Sequence, residues 1–179
     1  RNSVSAPVAW FDSPSDLART LHVSRSVRIV CDSKSTIPLA VGIFRPTVLM
    51  PVEAGRWSQE SRFYALLHEL AHIERRDVLW QLLGQLAVGL YWVNPLFWYA
   101  IHRMRIEREW ACDDRVVQLT GLASDYAAQL VEIARSASAQ HPMVPAVAMA
   151  QASDLEQRLR AMFDRARSRV PLSRRAAAQ

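Results

Sequence analysis

Lysine is all but missing from this chain: Lys34 is the only lysine among 22 basic residues. Cysteine is nearly as scarce. Cys31 and Cys112 alone cannot make a disulfide framework. That excludes the small stapled secreted folds and agrees with a cytoplasmic setting. No apolar leader opens the chain, which begins Arg1-Asn2-Ser3-Val4; without an initiating methionine it reads as a piece of a longer protein. Internal repeats are absent as well. The longest run without a formal charge is Val78–Ile101, 24 residues interrupted by Gln81, Gln85 and Asn94. Pro95 should break it into pieces of about 16 and 6, short of the ~20 apolar residues a membrane span needs. A buried core helix ending in a turn fits this run. So does a helix lying on a membrane surface, with Trp80, Tyr91, Trp92, Trp98 and Tyr99 at the interface.

What the chain does have is apolar mass and unevenly placed charge. Half of its 179 residues are hydrophobic, enough for one domain with a workable core. The net charge of +5 is concentrated at one end. Residues 158–175 hold arginines 158, 160, 165, 167, 169, 174 and 175 against the single Asp164. Such a segment could meet nucleic acid or anionic lipid. With no aromatic platform and no nucleic-acid motif beside it, nucleic acid is not expected. Basic residues flanking a membrane segment on its cytoplasmic side are the commoner explanation. This divides the chain into residues 1–152, the main domain, and 153–179, a C-terminal helix with an arginine-rich juxtamembrane tail.

The most informative residues are His68-Glu69-Leu70-Ala71-His72, the pattern H-E-x-x-H. Four positions apart on a helix, two side chains share a face, and two imidazoles so placed can reach one Zn²⁺. Glu69 then stands where its carboxylate can reach water beside that metal. The pattern alone arises by chance in an ordinary helix, so its surroundings decide. Ser58 is a plausible N-cap followed by Gln59-Glu60, and Phe63, Leu66, Leu67, Leu70 and Ile73 recur at helical spacing. The two histidines flank that stripe, where a cleft would be. A single zinc per chain is the expected cofactor.

A catalytic zinc site takes three protein ligands and leaves one position open. The third is sought in Ile106–Asp114, which holds Glu107, Glu109, Asp113 and Asp114. Glu109 and Asp113 are four apart and share a face. Glu107 is rotated about 200° from Glu109, and Asp114 about 100° from Asp113. Glu109 can ligate the metal while Asp113 accepts a hydrogen bond from the far nitrogen of a ligating histidine. Cys112 points off that face and reads as a small core residue. His102 and Tyr126 are candidate donors to the oxyanion of an attacked carbonyl. An extended peptide could add as a strand to a sheet edge at Leu39, Ala40, Val41, Gly42 and Ile43, residues that read equally well as sheet core.

The order of elements indicates α+β. A short helix is expected over 15–22, strands over 27–31, 39–44 and 47–50, and helices over 58–76, 78–93, 95–119 and 124–136. Residues 137–152 read as a mobile loop. A last helix over 153–168 would be capped by Ser153 with Glu156 three residues on.

The run His68–Asp77 (H-E-L-A-H-I-E-R-R-D), then Asn94-Pro95-Leu96, then Glu109–Asp113 (E-W-A-C-D), resembles the BlaR/MecR-type antibiotic-receptor membrane metalloproteases, as does Gly42–Pro51 upstream. Order and spacing match over roughly residues 37–165. The glutamate-to-aspartate pair with Gly121 and Tyr126 is also similar to the CAAX prenyl proteases. The resemblance implies a zincin-like (gluzincin) domain with a small antiparallel sheet and several helices. It also implies zinc on His68, His72 and Glu109, and Glu69 as the base of peptide-bond hydrolysis. The function it implies is the cytoplasmic protease of a sensor-transducer at the cell membrane, cutting itself or a cytoplasmic transcriptional repressor. A free-standing zinc protease and a non-catalytic zinc-binding regulatory domain are the alternatives, and the latter would be marked by loss of the base.

Overall fold

The structure, a computed structural model, describes residues 3–5, 21, 26–140 and 145–164. Leu21 apart, the helix expected over 15–22 lies outside the described residues, as does the arginine-rich tail beyond Asp164. Four strands, β1 (Ser3–Ser5), β2 (Arg28–Asp32), β3 (Leu39–Val41) and β4 (Thr47–Pro51), form one sheet in the order β1-β2-β4-β3. A 3-10 turn, Val52–Arg56, leads to five helices: α1 (Gln59–Arg75), α2 (Asp77–Leu90), α3 (Pro95–Thr120), α4 (Ala123–Gln140) and α5 (Pro145–Phe163).

The sheet is mixed, which corrects the expectation of an antiparallel one. β1 with β2 and β3 with β4 are antiparallel, but β2 and β4 pair in parallel, Arg28 opposite Thr47 and Cys31 opposite Met50. The reason is burial. Val48 and Met50 of β4 are completely buried, so β4 takes an interior place, while three-residue β3 is left at the edge with Leu39 half exposed. The chain reverses from β3 to β4 through Gly42 at φ 87°, where a Cβ would meet the Arg45 carbonyl oxygen. The strand expected to reach residue 44 therefore stops at Val41.

Helix α1 is the centre of the domain. Ser58 caps it, its side chain accepting from the Ser61 amide at 3.0 Å. Tyr64, Leu66, Leu67 and Leu70 pack with Val48 and Met50 of the sheet, Val116 and Val117 of α3, Tyr126 and Ile133 of α4, and Met162 of α5. The helix ends at Arg76, in the left-handed region at φ 58°, ψ 38°. It is the only non-glycine residue with positive φ among the described residues. An αL residue turns the chain sharply enough for α2 to begin at the very next residue, Asp77.

Among the described residues of the stretch 137–152, 137–140 and 145–152 are helical. Helix α4 continues to Gln140 and α5 starts at Pro145. Alanine favours helix, and proline costs nothing at a first helical position because its missing N–H would have no partner there. Ser153 and Glu156 are therefore interior to α5 and form no capping box. The division drawn between residues 152 and 153 falls within this helix.

Candidate metal centre

His68 and His72 lie one turn apart on α1, with ring centroids separated by 4.8 Å. Helix α3 crosses α1 and brings Glu109 to them. Glu109 Oε2 is 3.4 Å from His68 Nε2 and 3.8 Å from His72 Nε2. Ligands about 2.0–2.1 Å from a tetrahedral zinc stand roughly 3.3 Å from each other. The three facing atoms, two imidazole nitrogens and a carboxylate oxygen, therefore suit that ion in both spacing and chemistry. The crossing is held by a two-pronged ion pair, Arg115 of α3 with Glu74 of α1, at 2.9 and 3.0 Å. Arg108 donates to the other oxygen of Glu109 at 3.1 Å, leaving Oε2 toward the histidines.

Each imidazole is also held from behind. His72 Nδ1 lies 2.8 Å from Asp77 Oδ2. A carboxylate only accepts, so Nδ1 carries the hydrogen and Nε2 keeps a lone pair for a metal. The αL turn at Arg76 is what swings Asp77 back over the end of α1. Behind His68, Asp113 Oδ1 lies 3.2 Å from Nδ1, and the Tyr126 hydroxyl 2.9 Å from it. Tyr126 donates to Asp113 at 2.6 Å. Arg158 of α5 closes the set, donating to both Asp113 oxygens at 2.8 and 2.7 Å. Glu69 is buried beside His68 on the same helix, 7% exposed.

These contacts set the charges. Burial works against ionisation of Glu109, but His68, His72 and Arg158 hold its carboxyl well below the usual range. Burial likewise opposes charge on Asp113, and the Arg158 guanidinium and His68 outweigh it. Burial disfavours a charged His68, yet hydrogen bonds to Asp113 and Glu109 push its pKa up to about 9. In the metal-free protein this raised value contributes stability that is complete below the ordinary pKa of 6.5 and lost as pH rises through about 9. The unfolding midpoint of the metal-free chain should fall across that window and should lose this component in His68→Gln. A midpoint equally steep in the variant would remove the assignment.

Asp113 and Arg158 form a pair inside the protein, with side-chain exposures of 2% and 20%. Breaking such a pair strands a buried charge. Arg158→Met should therefore cost about 3 kcal/mol in a denaturant titration, and Asp113→Leu in the same chain should recover most of that loss. Additive losses would show the pair is not coupled.

The expected site residues are not all in one place. His68, Glu69, His72, Glu109 and Asp113 come together. Tyr126 is completely buried, with its hydroxyl at the back of His68, 2.9 Å from Nδ1. His102 is exposed and lines a groove between α2 and α3 of about 590 Å³, whose wall also includes Asp77 and Arg108. Glu107 faces solvent in an ion pair with Arg103 at 2.6 Å. Cys112 is completely buried, but its thiol also lies 3.2 Å from His72 Nδ1 and donates to Asp77 at 3.5 Å. Burial and the Asp77 carboxylate push that thiol well up in the metal-free protein, and His72, Asp77 and Cys112 form a second, hydrogen-bonded cluster.

Sequence reasoning missed Asp77, Arg108 and Arg158. For Asp77 a signal existed, an acid just past the histidine helix. Arg158 had none, being one arginine in a basic run.

The family model described as BlaR1 peptidase M56 matches residues 14–162. The Regulatory protein BlaR1 of Bacillus licheniformis is 35% identical over 81 residues, which cover 45% of this chain and 14% of that protein. The chain therefore corresponds to a small part of that relative's length. No solved structure matches.

Proposed function

Since the chain belongs to the M56 peptidase family of BlaR1, we propose that it is a zinc-dependent endopeptidase domain of gluzincin type. The whole protein would be a membrane sensor-transducer, with this domain on the cytoplasmic side. The observation that carries the reading is the convergence of His68 Nε2, His72 Nε2 and Glu109 Oε2, with Glu69 next to the first of them. Zinc held by these three side chains would supply a Lewis acid and bring the pKa of water down to about 7.

The chain's own groups do the rest. Asp77 and Asp113 keep hydrogen on the two Nδ1 atoms, so both Nε2 atoms face inward. Glu69 takes a proton from the attacking water and returns it to the departing amine. The free edge of β3, which lies against α1, offers backbone groups at Leu39, Ala40 and Val41 to an extended peptide, with Gly42 and Ile43 continuing past the strand's end. The substrates would be a cytoplasmic repressor or the chain's own tail around Arg174-Arg175. The test is metal content and turnover together. The purified protein should hold one zinc and cut an unstructured protein such as casein, with cleavage stopped by a chelator and restored by zinc. A zinc-replete protein that cuts neither casein nor its own tail would leave only a zinc-binding domain.

Strand addition gives a further expectation. Val41→Pro takes one backbone N–H from the edge strand while leaving the metal ligands in place. It should raise KM for peptide several-fold with zinc content unchanged. An unchanged KM would move the peptide elsewhere.

A further inference from the structure

Helix α2 and the start of α3 form a hairpin whose surface no described element covers. Trp80, Leu82, Leu83, Leu86, Leu90, Tyr91, Trp92, Val93, Leu96, Trp98 and Tyr99 are all exposed large hydrophobics, with Leu90 at 79% and Val93 at 75%. Nothing between Val78 and Ile101 carries a formal charge. We propose that this hairpin is a membrane anchor: its tip inserts into one leaflet of an anionic bilayer, and the metal centre sits at the lipid surface.

Four observations favour lipid over a protein partner. First, the exposure runs around the hairpin and not along one stripe. Only Gly84, Ala87 and Val88 on the outer part of α2 are partly covered. A docking helix would cover one face, whereas acyl chains surround a helix that is apolar all round. Second, the tip meets part of its hydrogen-bonding need within itself. The amides of Tyr91, Asn94 and Phe97 bond to Ala87, Tyr91 and Asn94 carbonyls. The Leu96 amide donates to the Asn94 side chain, and the Trp98 indole N–H donates to the Trp92 carbonyl at 2.7 Å. In hydrocarbon an unpaired donor has no water to turn to, so such a turn suits that medium. Third, the hairpin is a rigid wedge. Gly84 lets α3 approach so closely that a Cβ there would lie 2.9 Å from Met104 and 3.2 Å from Ile101, and Tyr91 stacks on Phe97 at 4.6 Å.

Fourth, the charge is at the right depth. Arg108 reaches Gln81, and Arg75 and Arg105 line the groove at the same level, with Arg76 and Arg103 nearby. Within residues 75–108 five arginines stand against two acids, Asp77 and Glu107, with Arg105 also paired to Asp154 and Arg108 to Glu109 from beyond that stretch. This collar would meet anionic headgroups. From Leu82 to Leu90 the helix rises about 13 Å, close to the half-thickness of a ~30 Å hydrocarbon layer. No helix among the described residues is long and apolar enough to cross the membrane, which a one-leaflet anchor does not require. The same hairpin begins at Asp77, the partner of His72, so the base of the anchor is also a wall of the metal centre.

The experiment is vesicle flotation of the 179-residue chain with phosphatidylcholine vesicles, alone and containing phosphatidylglycerol. The chain should float with both and more tightly with the anionic lipid. Leu90→Glu with Val93→Glu, at exposed positions, should weaken binding about 100-fold or more while far-UV circular dichroism stays the same. A parent that stays in the aqueous fraction would overturn the proposal. So would undiminished binding of the double variant, which would place attachment in the basic C-terminal segment. A dimer that the two glutamates dissolve, without vesicle binding by the parent, would make a second copy the occupant instead. A measurement free of any folding question is tryptophan emission of the bound parent, which lipids brominated in mid-chain should quench, less so in Trp92→Phe. No quenching by those lipids would leave the tip outside the hydrocarbon.

Discussion

Glu69→Gln should lower peptide hydrolysis by at least about 10²–10⁴-fold while zinc content and unfolding midpoint stay at the parent's values. Glutamine is nearly isosteric with glutamate, so the packing around position 69, buried beside His68, is kept. On the proposed mechanism what is lost is the group that takes the proton from water, and general-base catalysis is worth that range. Single-turnover cleavage of casein beside a zinc assay reads both quantities. Cleavage at the parent's rate would take the base role away from Glu69. A fall in zinc content would mean that Glu69 helps hold the metal, and loss of activity could then no longer be assigned to proton transfer.

Glu109→Ala should lose zinc, and Asp113→Ala should keep it with affinity reduced about 10–100-fold. The two carboxylates share a helix face, yet the structure gives them different neighbours. Glu109 Oε2 faces both Nε2 atoms, whereas Asp113 lies behind His68 with Tyr126 and Arg158. Removing Glu109 takes one of three donors. Removing Asp113 frees one imidazole to turn and leaves Arg158 without its carboxylate, so a loss of stability accompanies the loss of affinity. Glu107→Ala, breaking only a solvent-facing pair with Arg103, should be silent within about 0.5 kcal/mol. Zinc titration of the three variants decides it. A zinc-replete Glu109→Ala beside a zinc-free Asp113→Ala would exchange the two roles.

How much of this could be read beforehand follows the range of the interactions. Residues 58–76 announce their helix because capping and a 3.6-residue period act within a turn or two. The same period places His68 and His72 on one side. Glu109 and Asp113 emerge from i,i+4 spacing for the same reason. The loop expected at 137–152 gives way to helix over 137–140 and 145–152, because alanine favours helix and Pro145, at a helix start, breaks nothing. The antiparallel sheet fails because strand order depends on which strand is buried deepest, and Val48 and Met50 settle that against a core assembled from four other elements. The stretch Val78–Ile101 was legible as apolar and interrupted. Its break comes at Tyr91–Asn94, ahead of Pro95, and its folding back on itself depends on Gly84 meeting Met104 and Ile101.

The sequence by itself determined the chemical inventory: two histidines and a glutamate in one turn, two carboxylates on another helix, and a chain almost without lysine or cysteine. Those are properties of composition and of local spacing, and folding does not change them. Only the tertiary structure decided which group serves which. It set the Tyr126 hydroxyl behind His68, brought Asp77 to His72 through a left-handed residue, and set Arg158 against Asp113 across 45 positions of chain. Such pairings are chosen by how α1, α3 and α5 cross, and crossings are set by the summed burial of many apolar side chains, which no short motif records.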